Sequence, residues 1–142
     1  MGADAMMQTS KLTLRVEFGD GRALGPGKIR LLEVIEQTGS ISQAGRDLGM
    51  AYRRAWQLVD DMNRCFSYPV IDTTTGGPQG GGAILTPFGK KLIKQYRAIE
   101  DRTLDATQQL LREIEPSLKD AKVARPLKSI KGSLLRNAPE RS

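Results

Sequence analysis

At 142 residues the chain has room for one domain and a terminal extension, and its 39% hydrophobic and 5% aromatic content allows one small, mostly aliphatic core. A single cysteine and the absence of histidine exclude an intrachain disulfide, a Cys/His zinc site and histidine-based acid/base or triad chemistry. The net charge is +6, but seven of the 22 basic residues and only two of the 16 acidic ones follow Pro116, so the surplus belongs mainly to the end of the chain.

No apolar run approaches the roughly 20 residues that cross a bilayer. Met1 to Ser10 lacks the basic start, apolar middle and cleavage site of a secretory signal, so a flexible N-terminus and a cytoplasmic location are expected, with no membrane partner. Lys11 to Phe18 alternates Leu12, Leu14, Val16 and Phe18 with polar residues, the period of a half-buried strand. Gly19-Asp20-Gly21 supplies a hairpin turn, Arg22 to Leu24 a short return strand, and Gly25-Pro26-Gly27 a break.

From Lys28 to Thr38 the period becomes helical, with Ile29, Leu32 and Ile35 flanked by Leu31 and Val34. Gly39 suits the left-handed position after the last turn. Ser40 caps a second, short helix, with Gln43 three residues on as the other half of a capping box. Ile41, Ala44, Gly45 and Leu48 form its inward face, and Gly49-Met50 makes a turn. A third helix follows over Ala51 to Asn63, with Ala55, Leu58, Val59 and Met62 inward. Cys65 reads as a small buried hydrophobe.

Pro69 to Thr74 is β-branched and reads as a strand. The glycine-rich Gly76 to Gly82 can only be a loop, and Ala83 to Leu85 is a second short strand. Thr86 is a good N-cap and Pro87 a good first helical residue. A long helix over 87–115 ends at Pro116. Residues 116–142 form a basic tail expected to stay disordered.

The segment Ile41 to Leu58 has the spacing of a helix-turn-helix: a small residue (Gly45) at the helix crossing, glycine in the turn, and apolar Ala55 and Leu58 packing the second helix on the first. Tyr52, Arg53, Trp56 and Gln57 then fall on the outward side, with Arg54 beside them. Arginine can contact guanine bidentately, glutamine adenine, and a ring can meet a sugar or a thymine methyl. Two readings of Trp56 stay open, a face residue or a filler of the core.

Pro69 to Leu85 reads as a wing whose glycine-rich tip, including Gly80 and Gly81, lets backbone N–H groups approach phosphate. It is not a nucleotide-binding P-loop, since no Gly-Lys-Ser/Thr follows. Thr86 and the helix start can meet phosphate with help from Lys90, Lys91 and Lys94, which read equally well as a solvated face. The long helix carries Phe88, Leu92, Tyr96, Ile99, Thr103, Ala106, Leu110 and Ile114 at spacings of mostly three and four. So long a stripe has no evident intrachain partner in its second half, and pairing with the same helix of another copy is expected.

Taken together, T-G-S-I-S-Q-A (Thr38 to Ala44), Ala55-Trp56, Met62-Asn63, the T-G-G and G-G-G of Thr75 to Gly82, and L-T-P-F-G (Leu85 to Gly89) resemble the DNA-binding domain of the ModE-type molybdenum-dependent transcriptional regulators, a winged helix-turn-helix related to that of the LysR family. The resemblance runs roughly from Leu12 to Ile114. It implies a mainly α fold with a small β wing over 11–115, dimerisation through the flanking helices, and binding to palindromic duplex DNA through Ser42 to Arg54. Ser42, Gln43 and Ala51 thereby join the candidate contacts.

Full-length members of the family carry C-terminal oxyanion-binding domains, for which the residues after the long helix are too few. Molybdate binding by this chain is therefore not expected, and no cofactor or metal is. The function expected is a DNA-binding transcriptional regulator acting as a homodimer, possible genes being molybdenum-related. The alternative is a winged-helix protein–protein module docking through its long helix. An enzyme is disfavoured by the lack of any convergent acid/base or metal constellation.

Overall fold

The computed structural model describes residues 10–74 and 82–120. The chain forms two compact units, Met1–Gln108 and Gln109–Ser142. Among the described residues, four α-helices and two small antiparallel sheets make up a winged helix-turn-helix with a long last helix.

Strands β1 (Val16–Gly19) and β2 (Arg22–Leu24) form the first hairpin. Gly19, Asp20 and Gly21 all have positive φ (95°, 56° and 78°), the backbone a tight Gly-Asp-Gly turn needs. The ladder starts at Val16, not Lys11. Leu12 and Leu14 keep their partial burial and Thr13 and Arg15 their exposure, but the three-residue return strand is too short to pair with them. Phe18, expected inward, is 44% exposed and meets Phe66 edge-on with ring centroids 6.0 Å apart.

Helix α1 (Pro26–Thr38) begins two residues before the expected Lys28. Gly25 is its extended N-cap, and Pro26 occupies the first turn, where its missing N–H has no intrahelical partner to lose. Gly-Pro-Gly thus starts this helix rather than breaking the chain. Ile29, Leu31, Leu32, Val34 and Ile35 are buried and form the centre of the core. Gly39 closes the helix at φ 72°, its N–H donating to the Ile35 carbonyl at 2.7 Å.

Helix α2 (Ile41–Asp47) is capped by Ser40, whose Oγ accepts from the Gln43 N–H at 3.0 Å. The reciprocal half of the box is missing. The Gln43 side chain instead donates to Asp47 and accepts from Arg46, each at 2.7 Å. Gly49, at φ 70°, turns the chain into α3 (Tyr52–Cys65). A Cβ at Gly45 would stand 3.2 Å from that of Ala55, which places the closest approach of α2 and α3 where the sequence puts its small residues. Ala55, Leu58, Val59 and Met62 are buried. Cys65 is only half-buried, because it lies in the last turn of α3, beyond the stripe that meets the core.

Strands β3 (Ile71–Thr74) and β4 (Gly82–Leu85) pair with Ile71 opposite Leu85 and Thr74 opposite Gly82. β3 starts at Ile71 rather than Pro69: the Val70 carbonyl still accepts from the Thr86 N–H at 3.0 Å, but the Val70 N–H donates to the Asn63 side chain and the Thr86 carbonyl accepts from Lys90 in α4, so the ladder does not continue. The Ala83 N–H donates to the Gly39 carbonyl at 2.9 Å, tying the wing to the junction between α1 and α2. The wing tip, with Gly80 and Gly81, lies outside the described residues. Helix α4 (Pro87–Ile114) follows, and Pro116 sits within a short 3₁₀ turn, Glu115–Ser117.

Candidate nucleic-acid interface

Helix α3 buries one stripe, and that stripe decides what its other side presents. With Ala55, Leu58, Val59 and Met62 fixed inward, the 100° step per residue turns Arg53 and Gln57 directly away from the core. Arg53, Arg54 and Gln57 are exposed. Tyr52 is 60% exposed and Trp56 38%, which answers the question left open for Trp56: it is a face residue. Ala51, the N-cap, is exposed as well, while Ser42 and Gln43 on α2 are half-buried.

Charge divides this face in two. At the far end Arg64 is neutralised by Asp60 at 2.6 Å and Asp61 at 3.8 Å. Among the described residues Arg53 and Arg54 form no ion pair or hydrogen bond. Uncompensated positive charge is therefore concentrated in the first turn of α3. Beside it, between α3 and β3, runs a groove of about 340 Å³ lined by Arg53, Trp56, Gln57, Val59, Ile71 and Thr73 among others.

Two groups anchor the entry to the wing, one from α3 and one from the start of α4. The Asn63 side-chain oxygen accepts from the Val70 N–H at 2.7 Å, so the far end of α3 anchors the approach to β3. Thr86 does the same from the other side: its hydroxyl donates to the Pro69 carbonyl at 2.7 Å and accepts from the Gly89 N–H at 2.9 Å. Thr86 is thus the expected N-cap, but at 7% exposure with its hydroxyl doubly engaged it cannot offer a side-chain contact to phosphate. Lys90, Lys91 and Lys94 are exposed on α4.

The residues expected to join two copies divide likewise. Tyr96 is buried, and its hydroxyl donates to the Leu14 carbonyl at 2.6 Å, so it belongs to the core of its own subunit. Burial holds its phenol above the ordinary pKa, keeping it a donor. Leu92 packs against the same core. Thr103 is half-buried, while Ile99, Leu110 and Ile114 are exposed.

Sequence reading did not single out Asn63, Gly89 or the ion network on α4 as structural anchors. Arg97 forks onto Glu33 of α1 (2.9 and 2.8 Å) and reaches Glu100 at 2.6 Å. The hydrogen bonds from Arg97 hold the Glu33 carboxyl below its usual pKa, and those to Glu33 and Glu100 raise that of Arg97. Asn63 and Gly89 both stand inside the resemblance motifs, which was the one available signal; the pairing of Arg97 with Glu33 left none. Among the described residues no cluster of His, Cys, Asp or Glu could hold a metal ion, and no helix is long and apolar enough to cross a membrane.

No protein-family model matches the chain. It is 48% identical over 80 residues to the molybdenum-pterin-binding protein MopB of Rhodobacter capsulatus, covering 56% of this chain and 30% of that protein. It is 40% identical over 88 residues to the DNA-binding transcriptional dual regulator ModE of Escherichia coli K12, covering 60% of this chain and 32% of ModE. A solved MarR family transcription regulator shares 18% identity at a TM-score of 0.47, covering 81% of this chain and 76% of that one. The chain spans about a third of the length of the curated relatives it matches. Those relatives carry the names of regulators and of molybdenum-binding proteins, not of enzymes. The matched residues are therefore similar to one part, about a third, of the ModE-type proteins.

Proposed function

We propose that this chain is a sequence-specific, DNA-binding transcriptional regulator that places the first turns of α3 in the major groove. The observation that carries the reading is the exposed set Tyr52, Arg53, Arg54, Trp56 and Gln57, whose two arginines have no carboxylate partner among the described residues while Arg64 on the same helix has two. Unpaired guanidinium groups at the front of the second helix of a helix-turn-helix are placed to meet phosphate and base edges. Ser42, Gln43, Ala51 and Lys90 are the further contacts in this reading; Gly80 and Gly81, assigned to it from the sequence, lie outside the described residues. The ModE match supports the same reading, because that relative is named a DNA-binding regulator. Residues 11–115 act as the working unit and 116–142 as a basic extension.

Selection of bound sequences from random duplexes should recover a preferred site. Arg53→Ala or Arg54→Ala should weaken binding to it by about 1–3 kcal/mol where the arginine reads a base, and affinity should fall steeply with salt. No preferred sequence, with both variants binding as wild type does, refutes the assignment and favours a protein-binding module.

A homodimer on a palindromic site completes the proposal, with Ile99, Thr103, Leu110 and Ile114 of α4 as the contact set, Leu92 at its margin and Tyr96 removed from it. Ile99→Glu with Leu110→Glu should convert a sedimenting dimer to monomer with the helical content kept; a wild-type monomer at micromolar concentration rules this out.

A further inference from the structure

Resting on the DNA-binding reading, one feature of the α3 face asks for more than phosphate or a polar base edge. Tyr52 and Trp56 expose ring surface to solvent there and meet each other edge-on, with centroids 6.2 Å apart and planes at 69°. The other aromatic group of the chain is tied to the core: Phe18 and Tyr68 are exposed as well, but their rings meet Phe66 and Phe88, which are half-buried and pack against it. The packing of α3 is already supplied by its four buried residues, so Tyr52 and Trp56 hold apolar area in water that the fold does not require.

Their placement is specific. Tyr52 and Trp56 are four residues apart, as are Arg53 and Gln57, so an apolar row and a polar row run side by side along the front of one helix. Trp56 also lines the groove beside β3, together with Arg53, Gln57, Asp60 and Asn63 of α3 and the apolar Val59 and Ile71. Base edges in the major groove carry donors, acceptors and a single kind of apolar group on the four standard bases, the C5 methyl of thymine. An A·T pair sets that methyl beside the N6 and N7 of adenine, the edge that a glutamine reads bidentately. The uncompensated charge of Arg53 and Arg54 suits this occupant, since it draws the same helix onto polyanionic DNA.

We infer that Tyr52 and Trp56 are specificity-determining residues that read thymine C5 methyl groups next to the bases contacted by Arg53 and Gln57. The full chain and the duplex recovered by selection provide the test. Each thymine in turn is replaced by deoxyuridine, which removes the methyl and leaves the pairing edge intact, and affinity is read by fluorescence anisotropy at fixed salt. Replacement at one or two thymines per half-site should weaken binding about three- to fivefold each. That penalty should vanish in Trp56→Ala or Tyr52→Ser, whose own loss on the thymine duplex should match it.

Tyr52, the more exposed of the two, keeps the test valid if Trp56→Ala fails to fold. Deoxyuridine without effect at every position overturns the inference and leaves the DNA-binding reading standing. So does an equal loss by both variants on thymine and deoxyuridine duplexes, the result expected if the rings lie on deoxyribose. Binding to no duplex at all overturns the DNA-binding reading and this one with it.

Discussion

Replacing Gly89 with alanine tests how the wing is fixed to the long helix. A Cβ built at Gly89 stands 2.3 Å from the Val70 carbonyl oxygen, 3.2 Å from its carbon and 3.4 Å from its Cα, all of them backbone atoms. Ordinary contact requires a retreat of about 1 Å. The carbonyl is not free to make it, because it accepts from the Thr86 N–H while the Val70 N–H is held by Asn63 and the neighbouring Pro69 carbonyl by the Thr86 hydroxyl. Overpacking a tight site costs about 1–3 kcal/mol, and loosening two such hydrogen bonds adds about 1 kcal/mol each. In the first turn the better helix propensity of alanine returns only a few tenths of a kcal/mol, which leaves a net loss of about 3–5 kcal/mol. Urea unfolding followed by circular dichroism reads this directly, with an unchanged m value expected. Gly27→Ala is the control, since that glycine is also helical but its Cβ would meet nothing within 4 Å; it should be neutral or gain a few tenths of a kcal/mol. If Gly89→Ala unfolds within about 0.5 kcal/mol of wild type, the claim that α4 and the wing meet backbone to backbone is wrong.

Tyr96→Phe should lose about 1 kcal/mol, because the Leu14 carbonyl forfeits its donor while the ring still fills the core. A chemical-denaturation difference indistinguishable from zero counts against that bond. The Glu33–Arg97 pair makes stability pH-dependent in one direction. Since the folded carboxyl titrates below its unfolded value, its contribution is complete above the ordinary carboxylate range and is lost as pH falls through the depressed value. Unfolding curves from neutral pH to about pH 3 should therefore fall more steeply for wild type than for Glu33→Gln, and parallel curves would contradict the shift.

Helix–turn–helix periodicity was legible because it depends on local rules. Gly39 and Gly49 sit at positive φ where the pattern demands it, Ser40 accepts from Gln43 N–H, and the four inward residues of α3 follow from spacing alone. The exposure of Tyr52, Arg53, Arg54 and Gln57 comes from that same periodicity, since fixing one side of a helix leaves the other no choice. Errors gathered at element starts, where a few contacts decide. Pairing from Val16 rather than Lys11 was set by the length of the return strand, and the start of α1 at Pro26 by its place in the first turn.

What sequence by itself determined, then, is the order of elements, the inward stripe of each helix and the resulting outward surface of α3, all products of interactions within a few residues. Tertiary structure decided which polar and aromatic groups were already spoken for. Thr86 turned inward to Pro69, Tyr96 reached across 82 residues to Leu14, and Arg97 found Glu33 on another helix. No periodicity encodes such partners, because each bond joins backbone or side chains that only the folded chain brings within 3 Å of one another.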